Sequence, residues 1–350
     1  NLALHIFNAI LVFYIFKKAL LHFKNSIGKN DAAISFFAAT IFLVHPIQTE
    51  SVIYIISRSE VLASTFYLLG FLLFQTCLEL HNRHSLLKKL ILPLVILFLI
   101  VVGFSVKQTL ATFPLIIFLY YISVCPLDSP VIKFILNWKW QILTAVLIFL
   151  SLLLYKLLSD ETFLIGPSRP DEMVGREKYM LSQPAVVIFY YLKKILFPIN
   201  LNVDPDVEVV THLLSFSFIA SIMMIAFIAY YLRKQEAWRF YIFFLSWFLI
   251  ILSPSSSIVT LHDLAAEHRV YLALPGVIFI LSYGLFDILK NQKSGILILC
   301  GLTLFLGALN IERNMAWKSE LSLWRDTYKK SPGKLRPLIN LARAHSIEGN

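Results

Sequence analysis

The chain has 350 residues, of which 58% are hydrophobic and only 15% charged, against about a quarter charged in ordinary soluble proteins. That balance excludes a soluble globular enzyme and describes an integral membrane protein. The net charge of +10 does not point to nucleic acid, because the cations sit at the ends of apolar stretches rather than in one patch.

Apolar stretches run over residues 1–16, 32–47, 61–78, 90–106, 109–125, 141–158, 213–232, 240–254, 270–286 and 295–311. Most approach the roughly 20 residues that cross a bilayer core, and the shorter ones need support from their neighbours. Alternate loops collect Lys17, Lys18, Arg83, Lys133, Lys139, Arg233, Lys234 and Lys290 with few acids. The positive-inside rule makes that side cytoplasmic. The opposite loops hold Glu50, Glu60, Asp160, Asp171, Asp204, Asp206, Asp263 and Glu267. Both ends of the chain are then expected outside.

The long outer loop, 159–212, contains one more apolar piece from Pro184 to Pro198, interrupted by Lys193 and Lys194. A full crossing there would invert the charge bias of every later loop, so an interfacial or re-entrant helix is expected. Cys77, Cys125 and Cys300 lie in or beside apolar stretches without metal-ligand spacing, and read as packing residues rather than a disulfide or zinc framework. No cleavable signal and no initiating methionine are visible, so the chain reads as a piece of a longer protein.

A membrane domain over 1–311 is followed by a polar segment over 312–350. There Leu338, Leu341, Ala342 and His345 fall on the spacing that opens a tetratricopeptide repeat, with Pro332 closing the preceding helix that carries Leu321 and Trp324. One repeat cannot bury its own apolar face, so more would follow. A plain amphipathic helix pair is the alternative.

Four polar stretches on the expected outer side carry the chemistry. In the first, His45, Gln48 and Glu50 precede Arg58 and Glu60, with Pro46 ending a helix and Val52, Ile53, Ile55 and Ile56 making an apolar face suited to lying flat on a membrane. These polar residues are either a site over a cavity or a structural cap. In the second, Lys107-Gln108 sits in a turn with almost no loop, where an ammonium suits a phosphate or merely snorkels to the surface. In the third, Asp204-Pro205-Asp206 marks an extended turn, open to metal binding, to general-base work or to plain solvation. In the fourth, Glu267-His268-Arg269-Val270-Tyr271 places a guanidinium able to grip a diphosphate or phosphate through two N–H groups, with Glu267 to orient it.

Taken in order, HPIQTESVIYIISRSEVLA, SVKQTLATFPLIIFLYY, SQPAVVIFYYLKKILFPINLNVDPDV and AEHRVYLALPG, with a repeat start behind them, the chain resembles the bacterial relatives of the transmembrane-and-tetratricopeptide protein O-mannosyltransferases. The resemblance covers nearly all 350 residues. It implies an all-α GT-C fold in a bacterial plasma membrane, with interfacial helices on the outer side and the start of a tetratricopeptide solenoid there. It further implies transfer of a sugar, with inversion, from a polyprenyl-phosphate donor to a hydroxyl acceptor on a protein or peptide held by the repeats.

Lys107, Arg269 and Arg58 would then serve the donor phosphate, with His45, Gln48, Glu60, Gln108, Glu267 and Tyr271 in orienting roles. Glu50, Asp204 and Asp206 would support a carboxylate that deprotonates the acceptor. Two features depart from the family: its turn carries Lys-Glu where this chain has Lys107-Gln108, and its principal acid lies in a first outer loop expected upstream of Asn1. No organic cofactor is implied, and a divalent metal stays open. A scaffold that only presents repeats is the alternative function, followed by a secondary transporter, for which polar residues at mid-membrane and helices broken by Gly or Pro would be expected.

Overall fold

A backbone surrounded by lipid has no water to bond, so an apolar chain must close its N–H and C=O groups within each segment. The computed structural model obeys this: all its elements among the described residues are helical. It describes residues 1–23, 31–80, 86–126, 174–258, 261–289 and 292–347. The expected span 141–158 and the first part of the loop after it lie outside them.

The helices are α1 (Leu2–His22), α2 (Asp31–Val44), the short α3 (Thr49–Ile53), α4 (Arg58–Leu80), α5 (Leu86–Val106), α6 (Phe113–Val124), α7 (Arg176–Ala185), α8 (Lys193–Leu196), α9 (Phe216–Arg233), α10 (Trp238–Leu252), α11 (Leu274–Leu289), α12 (Gln292–Ala316), α13 (Glu320–Lys330) and α14 (Leu335–Ile347). Four of them, α1, α4, α9 and α12, are long and apolar enough to cross a bilayer unaided. The pair formed by α2 and the Pro46–Ile53 segment, bent by 48°, makes a fifth. The helices over Ile91–Val106, Gln108–Val124, Trp238–Leu252 and Leu274–Leu289 are apolar but shorter.

Pro46 has no N–H to donate, and α2 accordingly stops at Val44, short of the expected Ile47. The chain then turns aside through two 3-10 turns and α3, leaving Ile55 and Ile56 about 70% exposed (70% and 73%). Both belong to the apolar face that the sequence expects to lie on a membrane. The Pro184–Pro198 piece is also helical, but its helix begins earlier, at Arg176, and runs into a π-helical stretch over Val186–Leu192 directly after Pro184. At the other boundary, α12 continues through residue 311 to Ala316.

α1 packs on α2 and α4, α4 on α5, α10 on α11, and α2 on both α11 and α12. Their shared interior is aromatic: Phe16 stacks on Phe279 with ring centres 4.1 Å apart, and Phe71, Tyr120, Phe243 and Trp247 meet edge to face. Such rings bury a large apolar area, and the polar atoms among them are satisfied: Gln75 Nε2 donates to Tyr120 Oη at 2.9 Å and Trp247 Nε1 donates to the Leu272 carbonyl at 2.9 Å. α10 and α11 come so close that a Cβ on Gly276 would lie 2.6 Å from the Phe244 carbonyl oxygen. The outward sides of α5, α9 and α12 carry exposed Leu97, Phe98, Met223, Phe227, Leu304 and Phe305. A surface of that kind suits lipid rather than water.

Two ends of the bundle are distinguishable. Near one, Lys18 and His22 at the close of α1 meet Glu79 near the close of α4, and Arg239 binds the carbonyls of Ile122 and Cys125. At the other, Asn1 donates to the Tyr54 carbonyl. The polar stretches singled out in the sequence gather at this second end.

Candidate functional site

The bend after α2 supplies the first wall. His45 Nδ1 accepts from the Ile47 N–H at 3.2 Å, so Nε2 carries the proton and donates to the Ile195 carbonyl at 3.0 Å. Both ring nitrogens are thereby spent on tying the end of α2 to α8, which makes His45 a structural fastener. Gln48 is 2% exposed, and neither atom of its amide meets a hydrogen-bond partner among the described residues. Thr49 donates to Asn310 Oδ1 on α12 at 3.0 Å.

The buried Glu50 uses both oxygens on His268: Oε2 accepts the backbone N–H at 3.1 Å and Oε1 meets Nδ1 at 2.7 Å. Ten residues on, the equally buried Glu60 in the first turn of α4 forms an ion pair with Lys107. Lys107 is extended (φ −156°) where α5 gives way to a 3-10 turn, so its ammonium reaches back over α4. Burial is the main influence on that ammonium and lowers its pKa to about 8, with Arg269 adding repulsion and Glu50 opposing it. The Glu60 contact acts in the same sense as Glu50. Arg58 and Gln108, by contrast, are exposed.

Residues Glu267–Val270 form a 3-10 turn, and at three residues per turn successive side chains point about 120° apart. The consequence is that Glu267, His268 and Arg269 serve three different walls. Arg269, 7% exposed, donates through Nη1 to Tyr179 Oη at 3.3 Å and through Nη2 to the Asp263 carbonyl at 2.7 Å. The expected Glu267–Arg269 pairing is replaced. Glu267 Oε1 accepts from the Asn202 N–H at 2.6 Å and from Tyr190 Oη at 3.1 Å, and its other oxygen lies 3.7 Å from Arg313. Full burial raises its pKa from 4.5 to about 7, with Arg313 pulling the other way. Tyr271 turns from this cluster into the bundle, where its hydroxyl meets His5 Nδ1 at 2.8 Å and Asn8 Nδ2 at 3.1 Å.

Asp204 and Asp206 do not enter the cluster around Glu50. Asn200 takes a left-handed φ of 53°, which asparagine tolerates better than most residues, and it turns the chain towards the join between α13 and α14. There Ser331 Oγ accepts from Asn202 Nδ2 at 2.7 Å and from the Asp206 N–H at 3.1 Å, and donates to the Asp204 carbonyl at 2.9 Å. The Asp204 carboxylate, 2% exposed, pairs with Lys334 and lies 4.0 Å from Arg336. Lys330 reaches the Leu201 carbonyl at 2.8 Å. This loop therefore anchors the helix pair, and an open cleft between them is lined by Asp206, His262, Asp263, Lys334 and Arg336. Among the described residues, no group of three or more His, Cys, Asp or Glu is placed to hold a metal ion.

Sequence reasoning passed over His268, Arg313 and Ser331. His268 stood between two candidates and went unweighed. Arg313 lies just past the expected end of the last span, yet is buried between Glu267 and Asp326, which it meets at 3.7 and 3.0 Å. Nothing near Ser331 in sequence marks it.

The chain is similar to a protein O-mannosyl-transferase of Caenorhabditis elegans, with 23% identity over 97% of this chain. It spans about half the length of that curated relative, 46%. No family model matches, and no solved structure matches significantly. With its apolar helices, the chain reads as a membrane protein distantly related to the protein O-mannosyltransferases.

Proposed function

We propose that this chain is the membrane part of a glycosyltransferase of the GT-C type. It moves a sugar, mannose by analogy with the relative's name, from a polyprenyl-phosphate donor to a hydroxyl of a polypeptide. The observation that carries this reading is the convergence of Lys107, Arg269, Glu50, Glu60 and His268, from separate stretches of chain, at one end of an apolar bundle. Paired cations beside one another favour a phosphate whose negative charge grows as its bond to the sugar breaks. The cleft under the helix pair is a route for a peptide acceptor, with α13 and α14 as the first helices of a tetratricopeptide array. By the charge bias of the loops this end faces the periplasm or cell exterior of a bacterium, and the donor enters from the bilayer.

A scaffold that only displays the helix pair accounts for the Ser331 anchorage but gives no purpose to ion pairs buried at some cost in desolvation. The test is transfer of labelled mannose from polyprenyl-phosphate mannose to a threonine peptide by the full-length protein in proteoliposomes. Lys107→Gln should lower turnover about thirty- to hundredfold, the equivalent of about 2 to 3 kcal/mol of lost phosphate stabilisation. Because that variant strands Glu60, the double variant Lys107→Gln, Glu60→Gln is made alongside it. It should recover thermal stability without recovering transfer. Recovery of both would show that Lys107 serves only the fold, and absence of transfer by the unmodified protein would refute the function.

A further inference from the structure

We propose that the cleft between the outer end of α12, residues 198–201 and α13 binds the phosphate of an anionic phospholipid from the surrounding bilayer. This ligand is additional to the donor assigned to Lys107 and Arg269, and it would bind whether or not the chain transfers a sugar.

The cleft has a volume of about 290 Å³. Arg313, in the last turn of α12, lines it and is 6% exposed. Its Nη1 donates to Asp326 Oδ2 at 3.0 Å, but Nε and Nη2 meet no hydrogen-bond acceptor among the described residues. Glu267, 3.7 Å from Nη2, is beyond hydrogen-bonding reach. A guanidinium carries five N–H donors and gains most from an anionic acceptor that offers two oxygens. The protein alone therefore leaves this buried cation incompletely served.

Other cations gather around it. Lys330, also in the lining, binds Asp326 Oδ2 at 2.7 Å and the Leu201 carbonyl at 2.8 Å. Lys194 donates to the carbonyls of Ile199 and Asn200 at 2.7 and 2.8 Å, and it feels the charges of Lys193, Lys330 and Arg313. Against them stand Asp326, Glu312 and Glu267. Glu267, with its pKa at about 7, is only partly ionised in neutral solution, so the local balance is positive. Apolar side chains complete the cleft: Ile199 and Leu309 line it, and their sequence neighbours Phe197, Ile311 and Met315 are 64%, 68% and 62% exposed. A free phosphate gains nothing from such surface, whereas a lipid brings phosphate and acyl chains together at the end of a span, where a basic pocket recognises its headgroup. Bound there, the headgroup would tie α12 to α13 and hold the helix pair against the membrane surface.

Native mass spectrometry of the purified full-length protein in an uncharged detergent, titrated with phosphatidylglycerol or with phosphatidylcholine, tests this. The first phosphatidylglycerol should bind more tightly than the first phosphatidylcholine, and inorganic phosphate at the same concentration should not displace it. Arg313→Gln should weaken phosphatidylglycerol binding about ten- to hundredfold. Because that variant also takes Arg313 from Asp326 and Glu267, Glu312→Gln is measured beside it. This second change leaves both buried pairs in place and removes a negative charge from the lining. It should tighten phosphatidylglycerol binding about two- to fivefold without affecting phosphatidylcholine, and it decides alone if Arg313→Gln fails to fold. A folded Arg313→Gln protein that binds phosphatidylglycerol normally, a Glu312→Gln protein that binds it no more tightly, or equal affinity for the two lipids would overturn the proposal. Displacement by inorganic phosphate would assign the cleft to the free ion and overturn the lipid.

Discussion

Replacing Ser331 by Ala removes one oxygen atom and three hydrogen bonds. The hydroxyl is fully buried and links Asn202 Nδ2, the Asp206 N–H and the Asp204 carbonyl at 2.7, 3.1 and 2.9 Å. Each such bond contributes about 1 kcal/mol net, and a buried group left without a partner costs about 1 to 3 kcal/mol. The loop should therefore loosen from the helix pair by about 3 kcal/mol. The Lys334–Asp204 and Lys330–Leu201 contacts remain, so the loss is local rather than global. Hydrogen exchange of a peptide covering residues 201–210, in the detergent-solubilised protein, reads it directly. The Asp206 amide should exchange about a hundredfold faster, the factor that corresponds to about 3 kcal/mol. Protection of that peptide equal to the unmodified protein would refute the anchoring role of Ser331.

Two further outcomes follow from the charge arrangement. The Glu267 pKa is raised from 4.5 to about 7, so its stabilising contribution is complete below the lower value and lost as pH rises through the upper one. Glu267→Gln should flatten the fall in thermal stability between about pH 5 and 8, a difference of about 3 kcal/mol at most; an unchanged pH profile would dismiss it. On the orientation proposed from the loop charges, α14 lies outside the cell. With Cys77, Cys125 and Cys300 replaced by serine, a cysteine at the exposed Arg343 should react with an impermeant thiol reagent in intact cells, and protection until the membrane is broken would reverse the orientation.

The helical bundle was legible because lipid removes alternatives: a long apolar run has no other way to satisfy its backbone. The break at Pro46 was legible for a similarly local reason, the missing N–H of proline. Local chemistry does not reveal which partner a charged side chain finds. Glu50 and His268 are 218 residues apart, and Asp204 and Lys334 are separated by 130. The Asp204–Asp206 pair read as a possible metal or base site because its partners, on the far side of the last span, could not be seen from the loop. Tyr271 shared a motif with Arg269, yet the end of one 3-10 turn sent its hydroxyl to His5 and Asn8 instead.

The distance between Glu50 and His268 along the chain also sets an order of assembly. At ribosomal rates of about 5 to 20 residues per second, on the order of ten to forty seconds separate their synthesis. During that interval the α2–α4 hairpin is already entering the bilayer while the histidine that will clasp its carboxylate does not yet exist. An ion left unpaired at a lipid boundary is costly. This end of the bundle thus closes late in biogenesis, after the turn Glu267–Val270 has emerged, and a chain arrested before that turn has its helices without its clasp.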